Sequence, residues 1–391
     1  LRILLFEALT AGLIDGTPSI LVEGLSMLRR LAVDLCKLSW VDLYVAIDRR
    51  FIADIPRSII PARIVMLDDP CIDDLIHCIG RMDFDKVYVI APETNGLLYS
   101  IIRRIIDEYG YSIVTIGDID RLGRIIDKLS LHRMLSEIGL KTPRSIDLSS
   151  ASLDDLDSLG YPFIIKPRLD AGCGGLYIVS NRMDAERLVK IANYRGYIAQ
   201  EYVKGLPSSL SFISDGRYAR LLSINRQFVD LSSGGPSYLG GYVPLSLASI
   251  DIDKLTDKLN TLLHGLKGYI GIDTIISNGG VYVIEVNPRL TVSYIGLSRC
   301  CRVNPAEAIA EAAFHDRLRV TDGFRGFSVF LKVRCVPLNI NPYLDDRVEA
   351  YIHGYSLISG FGYSLRDAWI DLINARRRLD DRSCRIGCRR S

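Results

Sequence analysis

Histidine is scarce, five in 391 residues, and the five are scattered without a His/Ser/Asp or His/Cys grouping. Hydrolytic triads therefore have no support. Charge of one sign is also lacking: 48 Lys and Arg stand against 46 Asp and Glu, a net +2. That balance is too even to imply nucleic acid or a membrane as a whole-surface partner. No apolar run reaches the roughly 18 residues that a membrane span needs. Neither G-x-x-x-x-G-K-[ST] nor G-x-G-x-x-G occurs, which disfavours the P-loop and the dinucleotide fingerprint. Internal repeats and low-complexity linkers are absent too. The nine cysteines are odd in number and sit in apolar surroundings, which fits buried thiols in a reducing, cytoplasmic compartment rather than a disulfide framework. Cys384 and Cys388 form a C-x-x-x-C pair without a second pair, a weak case for zinc. Residues 376–390 hold seven arginines against two aspartates, with no interleaved aromatic residue, so this end reads as a solvated tail. The opening LRILLFEALTAGLI is short and broken by Glu7, and without a basic leader it reads as a first strand rather than an export signal.

What is present is ample core, 48% of the residues being apolar, and a length suited to two or three domains. Short apolar runs at 2–6, 41–47, 62–67, 86–91 and 112–116 alternate with amphipathic segments. This is the βα grammar of a mostly parallel sheet, placed at 1–118. In TPSILVEGLSMLRRLAVDL, Thr17 is the expected cap, Pro18 the first helical residue, and Leu21, Leu25, Leu28, Ala32 and Leu35 share a face. After one helix, DRLGRIIDKLSLHRMLSEIG, the pattern becomes antiparallel α+β over 119–319, with a smaller subdomain at about 143–203. From 320 to 391 a strand, FSVFLKVRCV, leads to a helix with a capping-box start at Ser364 and Asp367 and a stripe of Leu365, Trp369, Leu372 and Ile373.

The most informative stretch is GYIGIDTIISNGGVYVIEVNPR. A three-residue loop, Asn278-Gly279-Gly280, with Gly280 in the left-handed position places Asp273 opposite Glu285. Asn287 joins them on that face, while Ile284 and Val286 turn to the core. Two carboxylates side by side repel unless a cation lies between them, and three oxygen-bearing side chains suit an Mg²⁺ that also holds phosphates. A satisfied polar cluster on a partly exposed face is the competing reading. Arg289, after Pro288, is placed to reach phosphate oxygens. YPFIIKPRLDAGCGG ends a strand at Lys166 and continues into Gly172, Gly174 and Gly175, a loop whose backbone N–H groups can approach phosphate. Lys128, taken alone, is a solvated helix lysine. In YIAQEYVKG, the backbone of Glu201, Tyr202 and Val203 is suited to reading an adenine edge.

Taken in order, DK…LxxxGxxTP, YPxIxKPxxxxGxGG, xQEYVxG and GxDxxxxxGGxYVxEVNPR resemble the ATP-grasp superfamily over about 118–300, preceded by a domain similar to its usual βα partner. FEALTAG, TPSILVEGLSMLR, IAPETNGLLY, SINRQ and EVNPRLTVSYIGL are most similar to the archaeal group that contains tyramine–glutamate ligase of methanofuran biosynthesis. The resemblance implies a pre-ATP-grasp βα domain followed by an ATP-grasp fold with a small lid. It also implies that Lys128 and Lys166 contact ATP phosphates, that Gly172–Gly175 cover them, and that Glu201–Val203 hold adenine. Asp273, Glu285 and Asn287 would ligate two Mg²⁺ or Mn²⁺ ions, and Arg289 would support the transferred phosphoryl group. The implied activity is a ligase joining a small-molecule carboxylate and an amine through an acyl phosphate, with glutamate and tyramine as the suggested pair; a homodimer is compatible with it.

Two departures stand out. KGLPSSLS offers Ser208 and Ser209 where many members hold ribose with an acid, and Gly271 stands where amino-acid ligases often carry Arg. Arg226 is the candidate for the acyl-phosphate work. Thr291 and Ser293 are expected to open a helix that receives a substrate carboxylate, and Glu7 or Glu93 to hold the amine. An inactive ATP-binding regulator and a nucleic-acid-associated protein using the arginine-rich tail are the alternatives.

Overall fold

In the computed structural model the described residues are all but 53–54, 56–58, 69, 172–173, 192–193, 232–235, 248–249, 320–322, 336–344 and 388–391; the side chains of 189–191 and 380–387 are likewise not described. Gly172, Cys388 and the Cys384 side chain lie outside the described residues, as does most of the arginine-rich tail. Among those described, six cysteines are free thiols, and no helix is long and apolar enough to cross a membrane.

The chain opens with a parallel sheet in the order β3-β2-β1-β4, built from β1 (Arg2–Glu7), β2 (Asp42–Asp48), β3 (Arg63–Leu67) and β4 (Lys86–Ile90). Helices α1 (Pro18–Leu35) and α2 (Ile72–Met82) connect β1 to β2 and β3 to β4, and α3 (Leu97–Tyr109) follows β4. Pro18 does occupy the first turn of α1, but Thr17 makes no side-chain capping bond. The expected fifth strand at 112–116 is not one: Val114 makes only an isolated bridge to Val87.

The helix expected over 120–139 is two. Asp127 leaves helical geometry at φ −79, ψ 110, ending α4 (Ile119–Ile126) and capping α5 (Lys128–Glu137) through Leu129 and Ser130 N–H. An Asp side chain competes for backbone N–H groups, which is why it breaks the helix. The break makes Lys128 the first residue of α5, and it is buried.

A small antiparallel sheet of order β5-β8-β6-β7 follows: β5 (Ser145–Asp147), β6 (Phe163–Pro167), β7 (Tyr177–Val179) and β8 (Tyr197–Glu201), with α6 (Leu153–Leu159) and α7 (Arg182–Ile191). It encloses its own small core around Phe163, Ile165 and Ala199.

From β8 the chain passes directly into an eight-stranded antiparallel sheet. Its strands are β9 (Leu206–Asp215), β10 (Ala219–Asp230), β11 (Ser237–Val243), β12 (Lys267–Ser277), β13 (Gly280–Asn287), β14 (Phe327–Arg334), β15 (Val348–Ile352) and β16 (Tyr355–Gly362), in the order β13-β12-β9-β10-β11-β14-β16-β15. Helices α8 (Ile252–Leu263), α9 (Ser293–Cys300), α10 (Pro305–His315) and α11 (Leu365–Gly387) complete it. Asp367 N–H donates to Ser364 Oγ, the expected cap, and Ser364 Oγ donates to Asp367 Oδ2. The buried stripe of α11 runs through Ala368, Leu372, Ala375 and Leu379, while Ile373 is 43% exposed.

Each face of the first sheet shares a core with one face of the large sheet. Leu4 and Phe6 pack with Ile272, Val283 and Val286, whereas Ile3 and Leu5 pack through α1 with Tyr269, Tyr294 and Phe330. Ile272, Val283 and Val286 thus pack on one face of β12 and β13, while Asp273 and Glu285 stand on the other.

Candidate active site

Asp273 lies opposite Glu285, but by a different route from the one expected. Ser277 pairs with Gly280, so the hairpin loop has two residues, Asn278 and Gly279, and that register alone would set Asp273 against Ile284. A β-bulge between Asp273 and Thr274 leaves Ile284 unpaired and shifts the ladder by one residue. Because side chains alternate, this single extra residue decides the face on which Glu285 stands. Gly280 has φ +114 and belongs to the strand.

On the resulting face, Asn287 Nδ2 donates to Asp273 Oδ2 at 3.1 Å and Gln227 Nε2 to Oδ1 at 2.7 Å. The Lys128 ammonium lies 3.4 Å from Glu285 Oε2, and donates to the Asp170 carbonyl at 2.5 Å. Lys166, on β6, is 6% exposed and bears on the same carboxylate. Burial opposes ionisation of Glu285, yet Lys128 and Lys166 outweigh it and hold the carboxyl below its ordinary value. Asp273 behaves oppositely: burial, then the Glu285 charge beside it, push its carboxyl up to about 8 against the pull of the two amides. Two carboxylates this close repel, so the charge of one opposes ionisation of the other.

Arg289 grips Glu93 in a fork, Nε to Oε1 at 3.1 Å and Nη2 to Oε2 at 2.8 Å. Glu93 is 2% exposed, so its carboxylate is committed to Arg289 rather than open to an amine. Glu7 is likewise folded into its own loop, accepting from the N–H groups of Leu9 and Thr10 at 3.1 and 2.9 Å. Burial raises its carboxyl to about 6.

Arg226 is not where the sequence pointed. Gln227 faces Asp273, so its neighbour faces the other way; the Arg226 guanidinium bonds the Pro207 carbonyl at 2.5 Å and the Gln227 carbonyl, and lies over the Phe228 ring. This sets its guanidinium apart from the Asp273–Glu285 pair. Ser208 is on that opposite face too, fully buried and 2.7 Å from Thr274 Oγ1, which removes it from ribose. Ser209 shares the site face but is spent on Ser293 and Asn225. Ser293 does begin α9, and Thr291 precedes it, yet both hydroxyls bond the sheet, Thr291 at 3.1 Å from the Tyr269 hydroxyl.

The small sheet is docked over this face. Lys128 N–H donates to the Arg168 carbonyl at 3.2 Å, Asn95 N–H to Leu169 at 3.1 Å and Thr94 Oγ1 to Asp170 Oδ1 at 2.7 Å. A cavity of about 690 Å³ beside these contacts is lined by Asp127, Arg168, Asp170, Gly174, Gly175 and Tyr197, among others. A Cβ on Gly174 would come within 2.8 Å of the Asp170 Oδ2 side-chain tip, and Gly175 has φ +63, a conformation that favours glycine. Glu201 ends β8, its N–H donating to the Arg144 carbonyl at 2.9 Å and its carboxylate accepting from Arg144 N–H at 3.2 Å. Tyr202 and Val203 lie in the link from β8 to β9.

Residues 125–293 match the family model of the ATP-grasp domain. Over those residues the chain is similar to ATP-grasp domains. It is 27% identical to tyramine–L-glutamate ligase of Methanocaldococcus jannaschii over 246 residues, 61% of this chain and 65% of that protein. With the protein of the same name from Methanocaldococcus fervens it is 27% identical over 299 residues, 75% and 89% of the two chains. A solved ATP-grasp superfamily protein from Archaeoglobus fulgidus superposes with a TM-score of 0.65 at 22% identity, covering 92% of this chain and 98% of its own. The ATP-grasp architecture is thus the one described above, a parallel-sheet unit followed by a small and a large antiparallel sheet. Gln227 is the site residue that sequence reasoning passed over; its neighbour Arg226 drew the attention because charge is a louder signal than an amide. The commitment of Glu93 to Arg289 was hidden as well, since 196 residues separate them.

Proposed function

We propose that this ATP-grasp protein is an ATP-dependent ligase that joins a carboxylate to an amine. The supporting observation is the Asp273–Glu285 pair, held opposite each other on one face of the sheet with Asn287 bonded to Asp273 and the Lys128 ammonium 3.4 Å from Glu285. The donor set fits Mg²⁺: two carboxylates and the Asn287 amide oxygen, whose nitrogen is already spent on Asp273, leave other positions for phosphate oxygens and water. Two ions bound there would neutralise the phosphate charge, Mn²⁺ being the alternative metal. Lys128 and Lys166 add fixed positive charge from the opposite side, Gly174 and Gly175 allow close backbone approach, and Tyr202 and Val203 are left to meet adenine, the Glu201 N–H being already used.

The chemistry asks for positioning and charge neutralisation more than for an acid or base. A carboxylate oxygen of the acid substrate attacks the γ-phosphorus of ATP, the bond to the β–γ bridging oxygen breaks, and ADP leaves. The amine nitrogen then attacks the acyl carbon of the acyl phosphate, inorganic phosphate leaves with the former carboxylate oxygen, and the nitrogen gives up a proton to solvent. Arg289, poised by Glu93, is assigned to the phosphoryl oxygens. The γ-carboxylate of glutamate and tyramine are the proposed pair, by likeness to the two relatives. The test is ADP release with Mg²⁺, ATP, L-glutamate and tyramine, with mass spectrometry of the product. Glu285→Gln is expected to lower turnover at least about a hundredfold with the thermal midpoint and far-UV spectrum unchanged; turnover within a factor of two of wild type removes Glu285 from the metal site.

A further inference from the structure

Beyond Asp273, the same face of the large sheet carries more polar groups than phosphate transfer uses. Gln227 pairs with Gly241 and Gly241 with Phe330, so Lys332, two residues along β14, shares the face of Gln227 and Asp273. On β11, a second bulge between Phe228 and Val229 sets Tyr238 opposite Val229 and turns it to that face as well. The Tyr238 hydroxyl is bonded to Ser293, and lies within the field of both Glu23 and Asp273. Lys332 Nζ meets Glu23 Oε1 at 2.5 Å, the lysine side chain 10% and the glutamate 18% exposed. Glu23 comes from α1, so the pair spans from the first domain to the sheet. Arg289 lies in the field of Glu23 as well as of Asp273 and Glu285, which ties this pair to the site.

A mostly buried ion pair adds little to stability compared with an apolar pair of the same shape, and a tether between α1 and the sheet does not need one. Despite Lys332, Glu23 stays above the ordinary carboxylate range because burial exceeds the compensation it receives. A zwitterion can enter such a pair without changing the net charge, its ammonium replacing Lys332 at Glu23 and its carboxylate replacing Glu23 at Lys332. We infer that Glu23 and Lys332 hold the α-ammonium and α-carboxylate of an amino-acid substrate, so that the carboxylate presented to Asp273 and Glu285 is the one on its side chain. This rests on the ligase reading and adds the recognition of the acid to it.

The experiment measures ADP release with Mg²⁺, ATP and tyramine against three acids: L-glutamate, glutarate, which lacks the ammonium, and 4-aminobutyrate, which lacks the α-carboxylate. Wild type is expected to prefer L-glutamate in kcat/KM by at least about tenfold over each, as the loss of one charge-assisted hydrogen bond requires. In Glu23→Gln the preference over glutarate collapses while that over 4-aminobutyrate persists. In Lys332→Met the pattern reverses, and KM for ATP stays at the wild-type value in both. A tether alone would lower the thermal midpoint and leave both preference ratios unchanged, which overturns the inference. Release driven equally well by glutarate in wild type also overturns it, with the ligase reading standing. No release with any acid fails the ligase reading itself, and this inference with it.

Discussion

Glu349, on β15, is 0% exposed and surrounded by three arginines from two distant segments. Arg30 Nε donates to it at 3.0 Å and Arg299 Nε at 2.8 Å, Arg29 Nη1 lies at 3.5 Å, and Ser359 Oγ donates at 2.5 Å. Arg29 and Arg30 belong to α1, Arg299 to α9, so the carboxylate joins the first domain to the far edge of the large sheet. Burial works against its ionisation, but Arg30, Arg299 and Arg29 outweigh it and bring its carboxyl from 4.5 down to about 2. At about 1.4 kcal/mol per tenfold change, that gap contributes roughly 3 kcal/mol to folding. A depressed carboxyl stabilises fully above its unfolded value and loses the contribution as pH falls through its folded value. The contribution is therefore complete at neutral pH and fades between about pH 5 and pH 2. Glu349→Gln leaves three buried guanidinium groups facing a neutral amide. Urea unfolding at about pH 7 should show a loss of roughly 3–5 kcal/mol, and the gap to wild type should narrow as pH falls toward about 3. A loss under about 1 kcal/mol, or a gap that does not change with pH, refutes the assignment.

Arg226→Met should leave the rate of ADP release within about threefold of wild type, because its guanidinium lies on the far side of the sheet from Asp273; a collapse measured by coupled assay would put Arg226 back in the site. Deleting Ile284 removes the bulge but keeps Glu285 on the site face, because the regular ladder then pairs it directly with Asp273, so MgADP binding by calorimetry should stay within about threefold of wild type, whereas a loss above about tenfold would show that the bulge itself shapes the site.

The line from sequence to site was clear where chemistry is written in local pattern. Lysine at the end of an apolar strand, glycines after it, and D…ExN on a hairpin are short-range signals, and the αβ alternation that precedes them follows from periodicity alone. The register of that hairpin was legible only in its outcome: the loop is shorter than the Asn-Gly-Gly pattern suggested, and the bulge at Ile284 compensates. A bulge has no residue signature here, since Ile284 differs little from Val283 or Val286.

Sequence by itself determined which chemistry the chain can hold, because the donors, their spacing and their order are local properties of the polymer. Tertiary structure alone decided which of those donors meet. The face of Arg226 depends on which neighbour points at Asp273, the engagement of Glu93 on an arginine 196 residues away, and the Glu23–Lys332 contact on the packing of α1 over a strand 309 residues later. Electrostatic fields act through space and not along the chain, so the raised carboxyl of Asp273 and the lowered carboxyl of Glu349 arise only once folding has excluded water and set their partners in place.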